Sequence, residues 1–307
     1  MLIKIKRNFF ILKNLLKTKY GRANFIKIYK NFIVLQIKKN LSKKPFIFKT
    51  CSKSFAFVQR GINSDSISSL FYYGISELNE VLFAWHILRP NDIFFDIGAN
   101  QGSWGLILCP KKIVCHEFEP SRATYEVLLK QILLNKKFQK YLVPHKEAIF
   151  NKNGIIEFTI GRSTSNQVKA NNIKNKKIKF EKVRSITLDS ASEKYGNPTL
   201  IKIDVEGFNQ QVLEKGNNVL ANPSLKALII ETFRSLEVKK KSFKEFEKFL
   251  ASYGFYPYSY NPIRRTIKPI TKRNEGSKND TIYFRVNRDD LILLKESIPL
   301  KVLGKYY

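Results

Sequence analysis

The stretch Ile93-Phe94-Phe95-Asp96-Ile97-Gly98-Ala99-Asn100-Gln101-Gly102 decides how the chain folds. Its apolar start, residues 93–96, predicts a buried strand that ends in an acid. Gly98 and Gly102 follow at once, and glycines let the backbone turn tightly and approach a ligand closely. We therefore predict a strand, a tight turn and a helix in succession.

The same turn indicates which ligand it holds. Turns that bind a dinucleotide carry Gly-x-Gly-x-x-Gly, which brings a helix N-terminus to a pyrophosphate. This turn lacks those three spaced glycines and begins with Asp96. A carboxylate at that position repels a diphosphate and attracts an ammonium group such as that of a methionine. The next strand ends at Glu119, where an acid can accept hydrogen bonds from both ribose hydroxyls. We predict S-adenosylmethionine as the cofactor, bound by Asp96, Gly98, Asn100, Gly102 and Glu119; an ordinary turn beside a surface glutamate is the alternative.

From residue 91 onward, apolar strands alternate with helices. We predict strands at 93–96, 113–119, 141–149, 199–205 and 225–232, and helices at 121–134, 209–220 and 242–253. Residues 254–260 and 281–286 add an antiparallel pair. Alternation of this kind predicts a mostly parallel sheet covered by helices on both faces. The polar residues 161–181 lack an apolar period, and we interpret them as an insertion that acts as a lid.

Composition limits the class of protein. Of the 307 residues 43 % are apolar, and the mean hydropathy is -0.26, which is typical of a globular protein. Three cysteines without a Cys-x-x-Cys pair exclude a disulfide framework, and with three histidines we predict no metal. The sequence contains no run of about 18 apolar residues, the length needed to span a bilayer. The longest apolar stretch near the N-terminus, residues 9–12, is too short for the core of a signal peptide. We therefore expect a cytoplasmic protein.

The formal charge of +30 is unevenly spread along the chain. Sixteen Lys and Arg residues precede Asp65, the first acidic residue, and such a field favours anionic partners. Two groups of apolar residues in this segment repeat at helical spacing: Leu2, Ile5, Phe9, Leu12 and Leu16, and then Phe25, Ile28, Phe32 and Leu35. Residues 1–45 are therefore predicted to form basic helices that either contact an anionic membrane peripherally or dock on the rest of the chain.

A second motif, Leu200-Ile201-Lys202-Ile203-Asp204-Val205-Glu206-Gly207-Phe208, follows Thr187-Leu188-Asp189. Together with Phe95–Asn100 and Phe118-Glu119-Pro120, it makes residues 90–260 resemble the FkbM family of methyltransferases. The resemblance implies a Rossmann-like α/β fold with a mostly parallel seven-stranded sheet and helices on both faces. It also implies S-adenosylmethionine as methyl donor and O-methylation, often of a sugar hydroxyl.

The resemblance covers only the middle of the chain. We therefore predict a basic N-terminal extension of helices and short strands over residues 1–75, a methyltransferase domain over 76–290 and a C-terminal tail over 291–307. Within the domain the chain departs from the family at Asn209, where the family often has Glu.

Two acids after the strand at 199–205 are the candidate catalytic residues. Asp204 lies at the carboxyl end of that strand, where ligands bind in open α/β sheets. We predict that Asp204 acts as a base or orients the acceptor, and that Glu206 supports the loop or the substrate. A capping role for Asp204 on the next helix and a Mg²⁺ site among the carboxylates are the alternatives. His145 either borders the adenine or packs in the core.

Three functions fit these motifs. The first is O-methylation of a sugar hydroxyl in a glycan, a glycolipid or a related metabolite. The second, suggested by the charge, is an RNA-modifying methyltransferase. Base N-methylation usually requires an Asn/Asp-Pro-Pro-aromatic loop where this chain has Asp204–Gly207, so nucleic acid is not the expected partner. The third is a membrane-tethered protein that binds the cofactor without catalysis.

Overall fold

The computed structural model describes residues 19–42, 44–59, 65–160, 168, 179–231, 240–271 and 280–307. Its α-helices are α1 (Lys19–Ala23), α2 (Phe25–Leu41), α3 (Asp65–Tyr73), α4 (Leu78–Ile87), α5 (Ser103–Leu108), α6 (Arg122–Leu133), α7 (Leu188–Tyr195), α8 (Asn209–Leu213), α9 (Asn217–Ala221), α10 (Lys240–Ser252) and α11 (Arg288–Glu296). Its β-strands are β1 (Phe46–Lys49), β2 (Phe55–Val58), β3 (Ile93–Ile97), β4 (Val114–Phe118), β5 (Leu142–His145), β6 (Ala148–Ile149), β7 (Gly154–Ile160), β8 (Lys179–Ile186), β9 (Leu200–Ile203), β10 (Ala227–Ile230), β11 (Tyr256–Asn261), β12 (Thr266–Pro269), β13 (Thr281–Phe284), β14 (Lys301–Val302) and β15 (Lys305–Tyr306).

Eight strands form a central sheet in the order β12-β11-β13-β10-β9-β3-β4-β5. The five strands from β10 to β5 are parallel, whereas β13, β11 and β12 are antiparallel to their neighbours. This arrangement confirms the predicted Rossmann-like, mostly parallel sheet and the antiparallel pair, in which Tyr256 lies opposite Phe284. The sheet has eight strands, one more than the seven expected. The additional edge strand β12 was not predicted, because its residues are mostly exposed and show no apolar pattern.

Each face of the central sheet buries its own set of side chains, because neighbours along a strand point to opposite sides. Phe94 and Leu200 join a core with α2, α3, α4 and α5. Phe95 and Ile201 pack on the other face against α7, α9 and α10. β9 and β10 are almost wholly apolar, as expected for strands covered on both faces, and Lys202 is the exception.

The predicted strand at 141–149 is two strands that belong to different sheets. β5 pairs with β4 in the central sheet, whereas β6 pairs with β8 in a separate three-stranded sheet of order β6-β8-β7. Apolar residues alone did not reveal the turn between them. Of the predicted lid at 161–181, Val168 forms a bridge with Phe158 and residues 179–181 belong to β8; residues 161–167 and 169–178 lie outside the described residues.

The predicted helix at 209–220 is two short helices, α8 and α9. Residues 46–75 contain the expected short strands, β1 and β2, which form a hairpin. They also contain α3, which was not predicted because its Ser-rich start hides the helical period. The predicted boundary at residue 291 falls inside α11.

Both ends of the described chain pack against the central domain. α2 buries Ile28, Phe32 and Leu35 in the same core that holds Leu294, Val302 and Tyr307 from the C-terminal segment. The expected docking of the N-terminal segment therefore holds for α2, whereas residues 1–18 lie outside the described residues. In the described part of the chain, no helix is long and apolar enough to cross a membrane.

Candidate active site

The carboxyl ends of β3, β4 and β9 open onto a cavity of about 350 Å³. Ligands bind at this edge of open α/β sheets because the loops after parallel strands converge there. The polar and charged side chains of its wall include Glu77, Asn100, Glu119, Lys202, Asp204, Glu206 and Glu231. The apolar side chains of its wall include Phe118, Pro120, Ala148, Ile149, Phe150, Phe158 and Phe208.

The loop after β3 touches the loop after β9 through Gly98. Gly98 has φ +85°, a conformation that favours glycine, and an added Cβ would lie 2.0 Å from the carbonyl oxygen of Asp204. The backbone N–H of Asp204 donates to the carbonyl of Ile97 at 2.9 Å. The two sequence motifs therefore meet at one point, and no other residue fits at position 98.

Gly102 serves packing and does not line the cavity. It stands at the N-cap of α5 with φ +79°, and an added Cβ would lie 2.6 Å from Leu128 and 3.0 Å from a carboxylate oxygen of Glu117. Glu117 is fully buried and does not line the cavity. Residues two apart on a strand share a side, but β4 ends at Phe118, so Glu119 already belongs to the loop that borders the cavity. Burial raises the pKa of the Glu117 carboxyl well above the usual range.

Glu119 connects the loops after β3 and β4. Its carboxylate accepts the backbone N–H of Asn100 at 3.0 Å and that of Ser121 at 2.9 Å. Burial raises the pKa of Glu119 to about 8, although these two hydrogen bonds oppose the shift. An ionised carboxyl has about four lone-pair sites, and a protonated one has an O–H donor and the remaining acceptor sites, so in either state Glu119 can hydrogen-bond hydroxyls in the cavity.

Asn100 completes this loop and lies in the cavity wall. Its φ of +53° is in the left-handed region, which asparagine adopts more readily than most residues. The conformation directs the Asn100 N–H at Glu119. Thus Gly98, Asn100 and Glu119, three of the predicted cofactor residues, line the cavity together.

A buried lysine that was not among the predicted site residues lies between two of them, Asp96 and Asp204. Lys202, on β9, is 4 % exposed. Its Nζ lies 3.1 Å from Asp204 Oδ2 and 3.8 Å from Asp96 Oδ1, and 5.7 Å from the centre of the Trp104 ring. Burial of an ammonium is costly unless anions compensate it. Burial alone lowers the pKa of Lys202, but Asp204 and Asp96 together hold it above the ordinary value.

Two further carboxyls surround Lys202. Glu77, which precedes α4, accepts the indole N–H of Trp104 at 2.8 Å. Burial raises the pKa of Glu77, and Lys202 opposes that shift. Burial and the neighbouring Glu77 also raise the pKa of Asp280. We call Lys202, Glu77, Asp96, Asp204 and Asp280 the lysine cluster.

Asp96, predicted to bind the cofactor, lies beneath the cavity floor. It is 1 % exposed and is not part of the cavity wall. Neither of its carboxylate oxygens has a hydrogen-bond partner among the described residues, and Lys202 is the nearby cation. Burial raises the pKa of Asp96 to about 6, with Lys202 acting against the shift. Asp96 is thus linked to the cavity wall by its ion pair with Lys202, which lines the cavity.

Asp204 and Glu206 both line the cavity. The Asp204 side chain is 35 % exposed and keeps one oxygen on Lys202. α8 begins at Asn209 and has Phe208 at its N-cap position. Asp204 therefore does not cap this helix, which was an alternative to a catalytic role. Glu206 has φ +50° and precedes Gly207 at φ +104°, which forms a tight loop. Within the described ranges, no three His, Cys, Asp or Glu residues are grouped as a metal site would require.

His145 packs in the core beside the site. Its Nε2 lies 2.9 Å from Nδ1 of His116, and its ring stacks on Phe118. Tyr195 covers it at 4.0 Å between ring centres. Burial lowers the pKa of His145 to about 3 and that of His116 to about 4, so both imidazoles are neutral. Of the two alternatives for His145, the geometry matches the packed histidine.

A comparison with protein families finds one match. Residues 96–257, just over half of the chain, match the family described as the methyltransferase FkbM domain. The match starts at Asp96 and includes Glu119, Lys202, Asp204 and Glu206. No curated protein matches the chain in sequence.

Several solved structures are similar to this chain at low sequence identity. Precorrin-6Y C5,15-methyltransferase from Geobacter metallireducens is 11 % identical with a TM-score of 0.36, over 60 % of this chain and 74 % of that one. The C-terminal domain of the Rhodobacter capsulatus enzyme of that name is 12 % identical with a TM-score of 0.38, over 68 % and 88 %. TYW2 from P. horikoshii, in complex with MeSAdo, is 11 % identical with a TM-score of 0.40, over 80 % and 73 %.

Proposed function

We propose that this chain, which belongs to the FkbM methyltransferase family and uses S-adenosylmethionine, methylates a hydroxyl oxygen of a sugar. The acceptor sugar would be part of a glycan, a glycolipid or a related metabolite. The observation that carries the proposal is the Asp204 carboxylate, which stands in the cavity wall with one oxygen held by Lys202.

The cavity fits S-adenosylmethionine in its size and in the chemistry of its walls. Its volume of about 350 Å³ falls within the usual range for small-molecule sites. Pro120, Ala148 and Ile149 offer an apolar surface for the adenine, and Glu119 offers acceptor capacity for the ribose hydroxyls. The acidic wall near Asp204 suits a ligand that carries an ammonium and a sulfonium.

The residues of the chain position the reactants and hold a proton. When bound, S-adenosylmethionine supplies an electrophilic methyl group for the acceptor oxygen. Holding the acceptor in line with that group can contribute up to about 7–11 kcal/mol. We assign to Asp204 the acceptance of the hydroxyl proton, which adds about 10²–10⁴-fold. We assign Lys202 a positioning role, because its Nζ holds the Asp204 carboxylate at 3.1 Å.

The wall chemistry favours a sugar over a nucleic acid as the acceptor. Asp204, Glu206 and Glu231 present carboxylates, which accept hydrogen bonds from sugar hydroxyls and repel phosphates. No cysteine lies in the cavity wall among the described residues, so a cysteine nucleophile for carbon methylation has no support. We assign Glu206, which lines the cavity beside Asp204 in sequence, to contacts with the acceptor.

Transfer of a labelled methyl group to separated acceptor pools tests this proposal. Purified protein is incubated with labelled S-adenosylmethionine and with free sugars, lipid-linked glycans or RNA. We expect label in a sugar-containing pool and a mass increase of one methyl group on the product. Label in RNA would instead support the RNA-modifying alternative. Cofactor binding without label in any pool would support the non-catalytic alternative.

A further inference from the structure

Helix α2 is apolar on two opposite sides. Its inner side buries Ile28, Phe32 and Leu35 in the core. Its outer side exposes five large apolar residues: Ile26, Tyr29, Ile33, Ile37 and Leu41. We call these five the outer stripe.

The outer stripe is a continuous surface. Its members are three or four residues apart, so they follow one side of the helix. Exposure reaches 83 % at Ile26, 50 % at Ile37 and 78 % at Leu41. Single exposed apolar residues are ordinary, but a contiguous exposed patch marks an interaction site. The helix is already anchored to the domain by its inner side, so the stripe is not needed for the fold.

The charges next to the stripe indicate the nature of its partner. Lys30 and Lys38 are exposed on α2, and Lys27 is also exposed and donates to the carbonyl of Leu303. No acidic residue occurs before Asp65, and the whole chain carries +30. A second copy of this chain would bring like charges together at the stripe. An anionic surface with an apolar interior satisfies both the lysines and the stripe.

We propose that the outer stripe of α2 binds the surface of an anionic lipid bilayer. Basic helices with an apolar side lie in the interface plane, with the apolar side among the acyl chains and the lysines at the headgroups. Each Lys near an anionic surface contributes about 1 kcal/mol, which is roughly fivefold in partition.

The stripe is separated from the cavity by a single helix. α2 contacts α3 through hydrogen bonds from Lys39 to Ser68 at 3.1 Å and from Asn31 to the carbonyl of Phe71 at 3.2 Å. α3 in turn contributes Ser66 and Ser69 to the cavity wall. If the proposed sugar acceptor is correct, membrane binding through α2 brings the cavity to lipid-linked glycans; the binding itself does not depend on that acceptor.

Vesicle sedimentation of the full chain tests the apolar part of the proposal. The triple variant Ile26→Gln/Ile33→Gln/Ile37→Gln is compared with wild type on vesicles that contain phosphatidylglycerol and on vesicles of phosphatidylcholine alone. The matched control is Ile155→Gln/Ile263→Gln/Ile298→Gln, which removes three exposed isoleucines elsewhere. We expect at least a tenfold loss of partition for the α2 variant and less than a twofold change for the control. Equal partition of wild type and the α2 variant would overturn the proposal.

A charge variant tests the lipid chemistry. Lys30→Gln/Lys38→Gln should lose about fivefold in partition for each lysine, and added salt should weaken wild-type binding. The control, Lys182→Gln/Lys268→Gln, makes the same charge change on exposed residues elsewhere. Wild-type binding to neutral vesicles as strong as to anionic ones would contradict the proposal. So would a dimer in ultracentrifugation that the triple isoleucine variant abolishes, because the stripe would then be a contact between copies.

Discussion

The two walls of the cavity are held in place by different kinds of interaction. The wall after β3 and β4 is held by the backbone: Gly98 touches the carbonyl of Asp204, and Glu119 accepts two backbone N–H groups. The wall at β9 is held by charge, because Lys202 is buried among four carboxyls. The difference implies that cofactor binding and proton transfer can be damaged separately.

The largest effect is expected from Lys202→Met. The change leaves Asp96 and Asp204 without their cation, and breaking a buried ion pair costs about 3–5 kcal/mol. Denaturant unfolding should show a loss of that size in the free energy of unfolding. Lys268→Met removes an exposed lysine as the control and should change the same quantity by less than about 0.5 kcal/mol. A loss below about 1 kcal/mol for Lys202→Met would mean that charge does not hold this wall.

A smaller loss of stability is expected from Gly98→Ala. The new Cβ meets the Asp204 carbonyl and the residue must keep a positive φ, so strain and overpacking together cost about 2–4 kcal/mol. Gly154→Ala is the control, because Gly154 also has a positive φ but nothing lies within 4 Å of its added Cβ. The two variants should differ in the free energy of unfolding and in affinity for S-adenosylmethionine. Equal effects would show that the contact with Asp204 does not matter.

The backbone-held wall could be predicted from the sequence, whereas in the charge-held wall Asp204 could be predicted but the buried cluster around Lys202 could not. Gly98, Asn100 and Glu119 follow their strands directly, so local patterns place them. The lysine cluster draws Glu77 and Asp280 from positions far apart in the chain, and single-sequence patterns do not report such contacts. One signal was visible: Lys202 is a charged residue in a strand that is otherwise apolar.

The fold shows the same division between local and distant information. The parallel direction of the central strands follows from the alternation of strands and helices, which is local in the chain. The separation of β5 from β6 could not be predicted, because both carry apolar residues and differ only in the strands they pair with. The split into α8 and α9 and the exposed edge strand β12 were missed because period and hydropathy are weak there.

Replacement of Glu119 tests whether the backbone-held wall binds the cofactor. Glu119→Ala should weaken binding of S-adenosylmethionine by about 1–3 kcal/mol, since the ribose hydroxyls lose a buried acceptor. Titration calorimetry measures the change. Glu126→Ala, on the exposed side of α6, should leave the affinity as it is in wild type. An affinity of Glu119→Ala equal to that of wild type would remove Glu119 from the cofactor site.

The stability of the fold should also depend on pH, because Glu119 is one of several buried acids with raised pKa values. The folded chain holds the Glu119 proton up to about pH 8, whereas the unfolded chain releases it near the ordinary value of 4.5. The unfolded state therefore binds fewer protons in this window, so stability falls as pH rises through it and levels off above about 8. Glu119→Gln should reduce that fall. Identical pH profiles for the variant and wild type would show that the Glu119 pKa is not raised.

The separation of the two walls is tested most directly with Asp204→Asn. The substitution keeps the size of the side chain and removes its capacity to accept a proton. We predict that turnover with a sugar acceptor falls at least about 10²-fold, while calorimetry gives the same affinity for S-adenosylmethionine. The melting temperature should change little, because Asp204 is 35 % exposed and Lys202 keeps the buried Asp96 beside it. Turnover within tenfold of wild type, or a parallel loss of cofactor affinity and melting temperature, would contradict the assignment of the chemistry to Asp204.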